Sequence, residues 1–524
     1  MQRQTTAKPR WRTGPLLPGL PQTTSLDIYD LHGVASEDQL SIASLVGLVN
    51  RGPAKIYLLE RDDDEFWLKQ IDPALPLTRT PIASDGLLDH LLTLYREQVK
   101  GLILYDPALP DTRNVATTLA GLRAGLVVLP EQADRLRETP YHLPILADLR
   151  TYGWKTGVQA YAWAYEHLLP ECSRELVAGL GPSIHSSLRS FLVAQRVFTC
   201  WLDARKSLLS LASGWLNERG LFKRVLACFP PGAVHLGWFP SEPFGIRLTS
   251  RAALLTLASD HCTNLAVWSS LPANPVAQAS TPAPANPLEQ PLRATAGEQG
   301  KSNTTYLSFT ISDGDNLQYC QHHLLHLWQD PVRGKLPLGW TIAPALQQVM
   351  PTLAAYYQRT ATENDEFIAG PSGVAYVLPS HLPREQRSAF LQLTAEHMQA
   401  MQLTLLQVLD SSGWFSMKFL NSDLQKLFAA HDLRGIFSGA GSGAPSWHQR
   451  AGLPIYQNLG LAFNPARTLS LIKRAAGRGI RFINVYLFAW SITPGDVQSI
   501  VEQLGDSFTV VTPGRLLALI QQEA

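Results

Sequence analysis

Short apolar runs alternate with amphipathic stretches through the first quarter of the chain. The stretches between the runs have apolar residues at helical spacing, and the first opens at Ser36 with Gln39 three residues later, a capping-box pattern. This alternation predicts a parallel sheet covered by helices. The connections contain neither GxGxxG nor a P-loop, so a nucleotide site is not predicted. The runs typical of strands are residues 26–31, 55–58, 101–105 and 125–129.

Composition shifts along the chain predict the domain boundaries. Residues 1–23 are polar at the start and are expected to form a disordered leader, followed by an N-terminal α/β domain at 24–225 that ends in a mostly helical bridge. A second domain is expected at 226–524. Its segment 271–302 is rich in Pro, Ala, Gln and Thr, which buries too little apolar surface to order itself and predicts an exposed loop.

The second domain repeats the strand and helix pattern. Counted from Val234, eight apolar runs of strand length are separated by helical stretches such as 384–401 and 468–477. Eight such units predict a (β/α)8 barrel, the TIM-like architecture, in which the chemistry lies at the carboxyl ends of the strands. The predicted strands are 234–239, 306–312, 338–342, 367–370, 403–409, 435–437, 482–488 and 508–511.

The turn after the second of these strands is the sharpest chemical signal. Gly314 separates Asp313 from Asp315, and Asn316 follows. A glycine there permits a tight turn, so both carboxylates can leave the strand close together. Two close carboxylates raise one pKa and form an acid/base pair, or they share a cation. The alternative is a polar turn in which Asp315 or Asn316 caps the next helix.

Other polar and aromatic residues also follow predicted strands. Glu242 and Asp410 join Asp313 and Asp315 as candidate catalytic carboxyls, although Asp410 is also placed to cap a helix. Glycoside hydrolysis uses two carboxyls about 5–5.5 Å apart for retention or about 6.5–9.5 Å for inversion. We expect at least three of these side chains to line one cleft and one to have a raised pKa. The candidate substrate-binding residues at the same strand ends are Asn316, Trp238, Trp340, Ser372 and Trp490.

An acidic, aromatic mouth suits a neutral carbohydrate, and we predict that the reaction uses no cofactor or metal. One alternative is an enzyme that does use a metal ion. His322 and His326 are spaced i, i+4 on one helix face, and with Asp313 or Asp315 they could bind a divalent ion, as in metal-dependent deacetylation of polysaccharides. The competing interpretation is a solvated helix face.

Charge and cysteine usage narrow the partners and the compartment. Lys and Arg number 44 against 43 Asp and Glu, so a nucleic-acid or anionic-membrane surface is not predicted. Five scattered cysteines without CxxC spacing predict buried thiols in a reducing compartment. No run of about 18 apolar residues occurs. These features predict a cytoplasmic protein and leave its oligomeric state open.

Three segments resemble the glycoside hydrolases named for the GxGYxYP motif. They are FTISDGDN at 309–316, PLGWTIAP at 337–344 and TENDEFIAGPSG at 362–373, while residues 104–121 look like the N-terminal domain of that family. The motif aligns onto 373–379 as GVAYVLP, with Ala375 and Leu378 as departures. The resemblance implies a sugar-processing enzyme in which Tyr376 offers its hydroxyl to the substrate. The departures support an alternative, a non-catalytic carbohydrate-binding or scaffold protein.

Overall fold

The computed structural model describes residues 10–138, 140–205, 217–272, 304–410, 432–439, 445–450 and 452–523. The first nine residues of the expected leader, and the expected loop from residue 273 onward, lie outside this part of the chain. The chain divides into two compact units, one of residues 1–273 with 348–352 and the other of residues 274–347 with 353–524.

The first unit is built on three separate parallel sheets. Their strand orders are β2-β1-β3, β5-β4-β6 and β10-β9-β7-β8. The parallel α/β prediction for the N-terminal region is therefore confirmed. The strands are β1 (Leu26–Asp30), β2 (Ile56–Leu59), β3 (Leu77–Arg79), β4 (Gly101–Leu104), β5 (Gly125–Val128), β6 (Ile145–Asp148), β7 (Leu176–Gly179), β8 (Phe198–Cys200), β9 (Val234–Gly237) and β10 (Leu255–Leu257).

Two expectations about this unit are corrected by the third sheet. The segment expected to be a helical bridge also supplies β7 and β8, whose short apolar runs lie among helical residues. Strand β9, counted above as the first strand of the barrel, pairs with β7 and β10 instead. The first compact unit therefore extends beyond residue 225, the boundary that the sequence predicted.

Helices connect the parallel strands of the first unit. The predicted capping box at the first helix is wrong, because Ala35 is the N-cap and the Gln39 side-chain amide donates to the Val34 carbonyl at 2.8 Å. The helices are α1 (Ser36–Val49), α2 (Asp64–Leu68), α3 (Leu87–Tyr95), α4 (Thr112–Arg123), α5 (Pro130–Arg137), α6 (Gly157–His167), α7 (Arg189–Ala194), α8 (Glu218–Leu226), α9 (Glu242–Arg251) and α10 (Leu265–Trp268).

The second unit contains one large sheet of 10 strands. Its path is β16-β17-β15-β14-β13-β12-β11-β19-β18, with β20 paired to the first half of β11, and every pairing except β16 with β17 is parallel. The strands are β11 (Thr305–Ile311), β12 (Leu338–Ile342), β13 (Asp365–Ala369), β14 (Leu405–Val408), β15 (Gly435–Ser438), β16 (Ser446–Arg450), β17 (Leu453–Gln457), β18 (Leu461–Ala462), β19 (Phe482–Leu487) and β20 (Phe508–Val510).

This sheet curls so that strands from opposite ends of the path meet. The Tyr456 hydroxyl of β17 donates to the Phe482 carbonyl of β19 at 2.6 Å, and the Leu459 amide donates to the Asn484 carbonyl at 2.9 Å. Curling buries both faces, which fits the nearly continuous apolar character of the strands. The architecture is mixed α/β with a curled, largely parallel sheet, and the closed eight-stranded barrel is not confirmed.

A polar network crosses the inside of the curled sheet. The Asn484 carboxamide oxygen accepts from Ser308 at 2.7 Å and Thr310 at 3.1 Å, and its amide donates to Asn458 at 2.8 Å. Asn458 in turn donates to Gln407 at 3.0 Å. The five side chains are buried and bonded to one another, so they add no unpaired group to the interior.

Helices follow most of these parallel strands and cover the sheet. Helix α17 packs Leu516, Leu517 and Ile520 against sheet residues that include Phe437 and Tyr456. Among the described residues, no helix combines the length and apolar character that crossing a membrane requires. The helices of this region are α11 (Leu324–Trp328), α12 (Leu346–Val349), α13 (Pro351–Thr360), α14 (Arg384–Ala400), α15 (Pro465–Ala476), α16 (Pro494–Glu502) and α17 (Pro513–Glu523).

Candidate active site

The turn after β11 lies flat on the end of the neighbouring strand β12. The Gly314 amide donates to the Thr341 hydroxyl at 2.9 Å, and a Cβ at Gly314 would lie 2.0 Å from the Thr341 carbonyl carbon. Asp313 has a φ of +71°, which a non-glycine residue rarely adopts. The glycine is therefore required for close approach, and the turn brings Asp313 to the carboxyl edge of the sheet.

One of the polar residues in this turn, Asn316, is used as a helix cap. The Asn316 side-chain oxygen accepts from the Tyr319 amide at 3.0 Å, which caps the helical segment that follows. The capping alternative thus applies to Asn316, whose side-chain oxygen accepts a hydrogen bond from the helix. Binding of substrate by Asn316 stays a prediction. Asp313 is half-buried and Asp315 is 6% exposed, so the turn holds two carboxyl groups at the sheet edge.

Burial dominates the electrostatics of Asp313. It raises the pKa of this carboxyl, while the hydrogen bond from Ser312 and the nearby Trp490 indole lower it by a smaller amount. The Ser312 hydroxyl donates to Asp313 and also accepts from the Ala489 amide at 3.1 Å. A carboxyl with a raised pKa was expected at this edge, and Asp313 has that property. Such a group keeps its proton to higher pH and can act as an acid.

Two tyrosines beside Asp313 were missed by the sequence reasoning. The hydroxyls of Tyr319 and Tyr486 are fully buried, and no group in the described part of the chain bonds them with normal geometry. Burial raises the pKa of both hydroxyls, and the Asp313 carboxylate raises both further. The Asp313 amide approaches Tyr486 and lowers its pKa without completing a bond. The sequence signal was weak, since one follows the turn in a helix and the other lies within a strand.

Trp490, a predicted substrate-binding residue, does lie beside this turn. Its ring stacks on His323 with centroids 4.5 Å apart and an interplanar angle of 10°, and Tyr319 meets it edge-on at 5.9 Å. The side chain is 47% exposed. His323 covers one face of the indole, and the exposed remainder of the side chain is available to a ligand such as a sugar ring.

Ser372 and Asp410 meet at the same edge, on the neighbouring strands β13 and β14. The Ser372 hydroxyl donates to the Leu409 carbonyl at 2.8 Å and accepts the Leu409 amide at 3.0 Å. Asp410 accepts from the Ser380 amide at 3.0 Å and the Ser380 hydroxyl at 2.5 Å. Ser372 thus supports the backbone, and binding of substrate by it is not supported.

The strand order separates Asp410 from the turn that carries Asp313 and Asp315. Strands β11 and β14 are three positions apart along the sheet, which corresponds to about 14 Å at about 4.8 Å per strand before curling shortens it. That separation is wide for a glycosidase pair at about 5–9.5 Å. Asp315, two residues from Asp313 in the same turn, is the nearer partner.

Other predicted site residues lie elsewhere. Trp340 is fully buried, donates its indole N–H to Asp365 at 2.9 Å and packs against Trp328, so its placement at the mouth is wrong. Trp238 follows β9 and Glu242 begins α9, both in the first unit, because β9 belongs to that unit's third sheet. The second unit's sheet therefore does not carry them.

The structure does not support the alternative in which His322 and His326 bind a metal ion. A wider π-helical turn at Tyr319–His323 breaks the α-helical spacing, so His322 is buried while His326 is exposed. The shared face expected for these two residues is wrong. Within the described ranges, no three His, Cys, Asp or Glu side chains come together as a metal site would require.

Family models match nearly the whole chain. The models of the first, second and third N-terminal GxGYxYP domains match residues 25–96, 99–172 and 174–270, and the "GxGYxYP putative glycoside hydrolase C-terminal domain" matches residues 303–521. The chain belongs to the GxGYxYP family. The three N-terminal matches coincide with the three small sheets of the first unit, and the C-terminal match covers the curled sheet.

One solved structure shows the same fold over nearly its whole length. A "putative hydrolase" from Bacteroides thetaiotaomicron VPI-5482 superposes with a TM-score of 0.81 over 98% of both chains at 22% sequence identity. A 4-alpha-glucanotransferase from Thermococcus litoralis gives a TM-score of 0.27 over 41% of this chain and 40% of its own, at 9% identity, which does not show a shared fold. Comparison with curated proteins gave no match.

The GxGYxYP motif segment lies just after β13. The two departures are buried, Ala375 at 1% exposure and Leu378 at 6%, whereas Tyr376 is half-buried. The substitutions therefore change packing beneath the segment, and the one aromatic residue that the motif retains is the more exposed of the three.

Proposed function

We propose that this GxGYxYP protein is a glycoside hydrolase acting on a neutral carbohydrate, with Asp313 as its general acid. The observation that carries the proposal is the environment of Asp313, a half-buried carboxyl with a raised pKa at the carboxyl end of β11. A carboxyl of this kind stays protonated to a higher pH than a free carboxyl, so it can give a proton to a leaving group. Asp315 supplies the second carboxyl of the pair.

The reaction follows from these roles. Asp313 gives its proton to the glycosidic oxygen as the bond to the anomeric carbon breaks. Asp315 then acts in one of two ways. It attacks the anomeric carbon and a water later releases the sugar with retention, or it takes a proton from a water that attacks directly with inversion. Asp410 is the alternative second carboxyl if the curl of the sheet brings it near. The exposed face of Trp490 holds the sugar ring beside the acid.

Hydrolysis of a panel of neutral para-nitrophenyl glycosides and unmodified oligosaccharides tests the proposal. Asp313→Asn should lower kcat by about 10²–10⁴-fold, because loss of a general acid removes that much acceleration. Asp506→Asn, an exposed aspartate of the same unit, serves as the matched control and should leave turnover unchanged. Full activity of Asp313→Asn and Asp315→Asn would end the assignment.

The second candidate function is carbohydrate binding without cleavage. The buried substitutions Ala375 and Leu378 favour it, since repacking beneath the motif segment could keep a groove while losing the chemistry. A glycan array distinguishes the two functions. Binding without any cleavage, undiminished in Asp313→Asn, would support the binding protein and exclude the hydrolase.

A further inference from the structure

Large apolar side chains are strongly exposed at three described positions of the second unit, Trp447, Phe463 and Trp490. Phe463 is the most exposed of them, at 54%. Its ring contacts that of Phe488, with centroids 4.9 Å apart and an interplanar angle of 52°. We call Phe463 and Phe488 the aromatic patch. Adjoining rings at a surface indicate a binding site more strongly than a single exposed residue does.

Strand pairing places the aromatic patch in the row that leads to Asp313. The neighbouring strands β18, β19 and β11 end in paired residues, which are Ala462, Leu487 and Ile311. The next residues along the three strands are therefore Phe463, Phe488 and Ser312, and Asp313 follows Ser312. The pairing continues past the strand ends, because the Phe488 amide donates to the Ala462 carbonyl at 2.8 Å.

The spacing of the strands sets the distance from the patch to the carboxyl. Neighbouring strands lie about 4.8 Å apart, so Phe488 lies about one spacing from Ser312 and Phe463 about two, or ~10 Å. A single sugar ring held at Asp313 is too small to cover the distance to Phe463. The next ring of the same sugar chain can reach it.

The segment after β19 links the patch to Trp490. Only Ala489 separates Phe488 from Trp490, so their backbones lie at most about 7 Å apart. Phe488 contacts Phe463, which follows β18, while Trp490 stacks on His323, which lies in the helical segment after β11. Aromatic contacts therefore extend from the segment after β11 to the end of β18.

A purely structural role does not account for the exposure of Phe463. Phe463 precedes Asn464, the N-cap of α15, whose side-chain oxygen accepts from the Arg467 amide at 3.1 Å. An apolar residue in this position often packs against an apolar residue in the first turn of the helix, as a hydrophobic staple. The corresponding helix residue here is Thr468, which is polar and donates its hydroxyl to the Asn464 carbonyl at 2.7 Å. The position thus lacks the apolar partner of a staple.

We propose that Phe463 and Phe488 form a second sugar-binding subsite, which holds the ring next to the one cleaved at Asp313. This inference rests on the proposed glycosidase function and names its substrate class, a neutral oligosaccharide or polysaccharide rather than a glycoside of one sugar. The exposed Phe463 ring contacts the apolar C–H groups of the second sugar. Beside it, the Asn464 side-chain oxygen caps α15, and its NH₂ group can donate to a sugar hydroxyl.

Cleavage of substrates of two lengths tests the subsite. In Phe463→Ala, kcat/KM for cellotetraose, maltotetraose or mannotetraose should fall about two- to tenfold, the contribution typical of an aromatic contact. Phe463→Trp keeps an aromatic face and should retain wild-type values. Turnover of para-nitrophenyl glycosides of one sugar should be unchanged in both variants. Leu94→Ala removes an apolar side chain of the first unit that is also 54% exposed, and this control should change neither substrate.

Calorimetric titration measures the subsite without cleavage. In Asp313→Asn protein, a tetrasaccharide should bind more tightly than the methyl glycoside of the same sugar. Adding Phe463→Ala should remove most of this difference and leave the affinity for the methyl glycoside unchanged. Because the Phe463 ring is exposed, Tm should stay the same, which separates a loss of affinity from a loss of folding.

The failures of the two proposals differ. If the wild type cleaves no glycoside but binds a tetrasaccharide more weakly once Phe463 is replaced by Ala, the hydrolase proposal fails and the patch stands as a sugar-binding site. If the wild type and Phe463→Ala cleave tetrasaccharides equally well, the subsite is overturned and the hydrolase proposal stands. Binding of none of the three tetrasaccharides, or equal affinity for a tetrasaccharide and its methyl glycoside, also overturns the subsite.

Discussion

The unpartnered hydroxyls of Tyr319 and Tyr486 lead to a prediction in which the same substitution has opposite effects at different positions. Tyr319→Phe and Tyr486→Phe should stabilise the second unit against unfolding. Tyr456→Phe should destabilise it. All three rings are buried, at 0% or 1% exposure, so differences in solvent exposure do not explain the contrast.

The magnitudes follow from the hydrogen bonds. A buried hydroxyl without a partner costs about 1–3 kcal/mol, and deleting its oxygen loses about 0.8 kcal/mol of packing, taking a methylene as the guide, so a gain of about 0.2–2.2 kcal/mol is expected. The gain should be smaller at Tyr486, which the Asp313 amide approaches. Tyr456 donates to Phe482 at 2.6 Å and accepts from Asn484 at 3.1 Å, and losing both bonds should cost about 2–4 kcal/mol.

Urea titration and thermal unfolding measure these differences. In a unit of this size each kcal/mol corresponds to about 2–4 °C in Tm. Activity is a second readout. The hydroxyls of Tyr319 and Tyr486 lower stability and lie beside Asp313, so we expect them to contribute to function. The stabilised variants should therefore turn over substrate more slowly. Loss of stability in Tyr319→Phe comparable to that in Tyr456→Phe would refute the reasoning, because it would mean that the Tyr319 hydroxyl is bonded.

Three further predictions concern the same unit. Trp340→Phe removes one hydrogen-bond donor to buried Asp365, so it should lower the free energy of unfolding by about 1–2 kcal/mol, and with it Tm, and leave KM unchanged. A large change in KM would mean that Trp340 does contact the substrate. Gly314→Ala should prevent correct folding of the turn and abolish activity, whereas Gly52→Ala, which has nothing within 4 Å, should leave circular dichroism and activity intact. The raised pKa of Asp313 means that the folded state binds its proton more tightly, so stability should fall as pH rises from about 4 through that raised pKa. Urea titrations between pH 4 and 8 should show a steeper fall in the wild type than in Asp313→Asn, in which Glu366, whose pKa burial also raises, still contributes, and equal slopes would contradict it.

The local pattern of the sequence was sufficient for most strands. Leu338–Ile342 was predicted to the residue, and β11, β19 and α14 to within one or two residues. These segments contain enough apolar residues to be buried, so their composition and pattern alone identify them as strands or helices. The strands β16, β17 and β18 were missed, because a proline and polar residues interrupt their pattern.

The candidate site was only partly predictable. Asp313, Asp315 and Trp490 directly follow strong strands, and the sequence located all three beside strand ends. Tyr319 and Tyr486 could not be predicted, because a sequence does not show whether a buried hydroxyl will find a hydrogen-bond partner. Family membership comes from sequence as well, since the motif segments and the family models agree.

The sequence by itself determined the parallel α/β character, the acidic turn and the family, because each depends on residues near one another in the chain. Tertiary structure alone decided which sheet each strand joins. Strand β9 has the apolar character of a barrel strand, but its partners are β7 and β10, so Glu242 and Trp238 follow a strand of the first unit and not a strand of the curled sheet. Trp340 has the same local context as a rim residue, yet Asp365 and Trp328 bury it. Strand pairing and side-chain burial depend on contacts between residues distant in sequence, which periodicity does not encode.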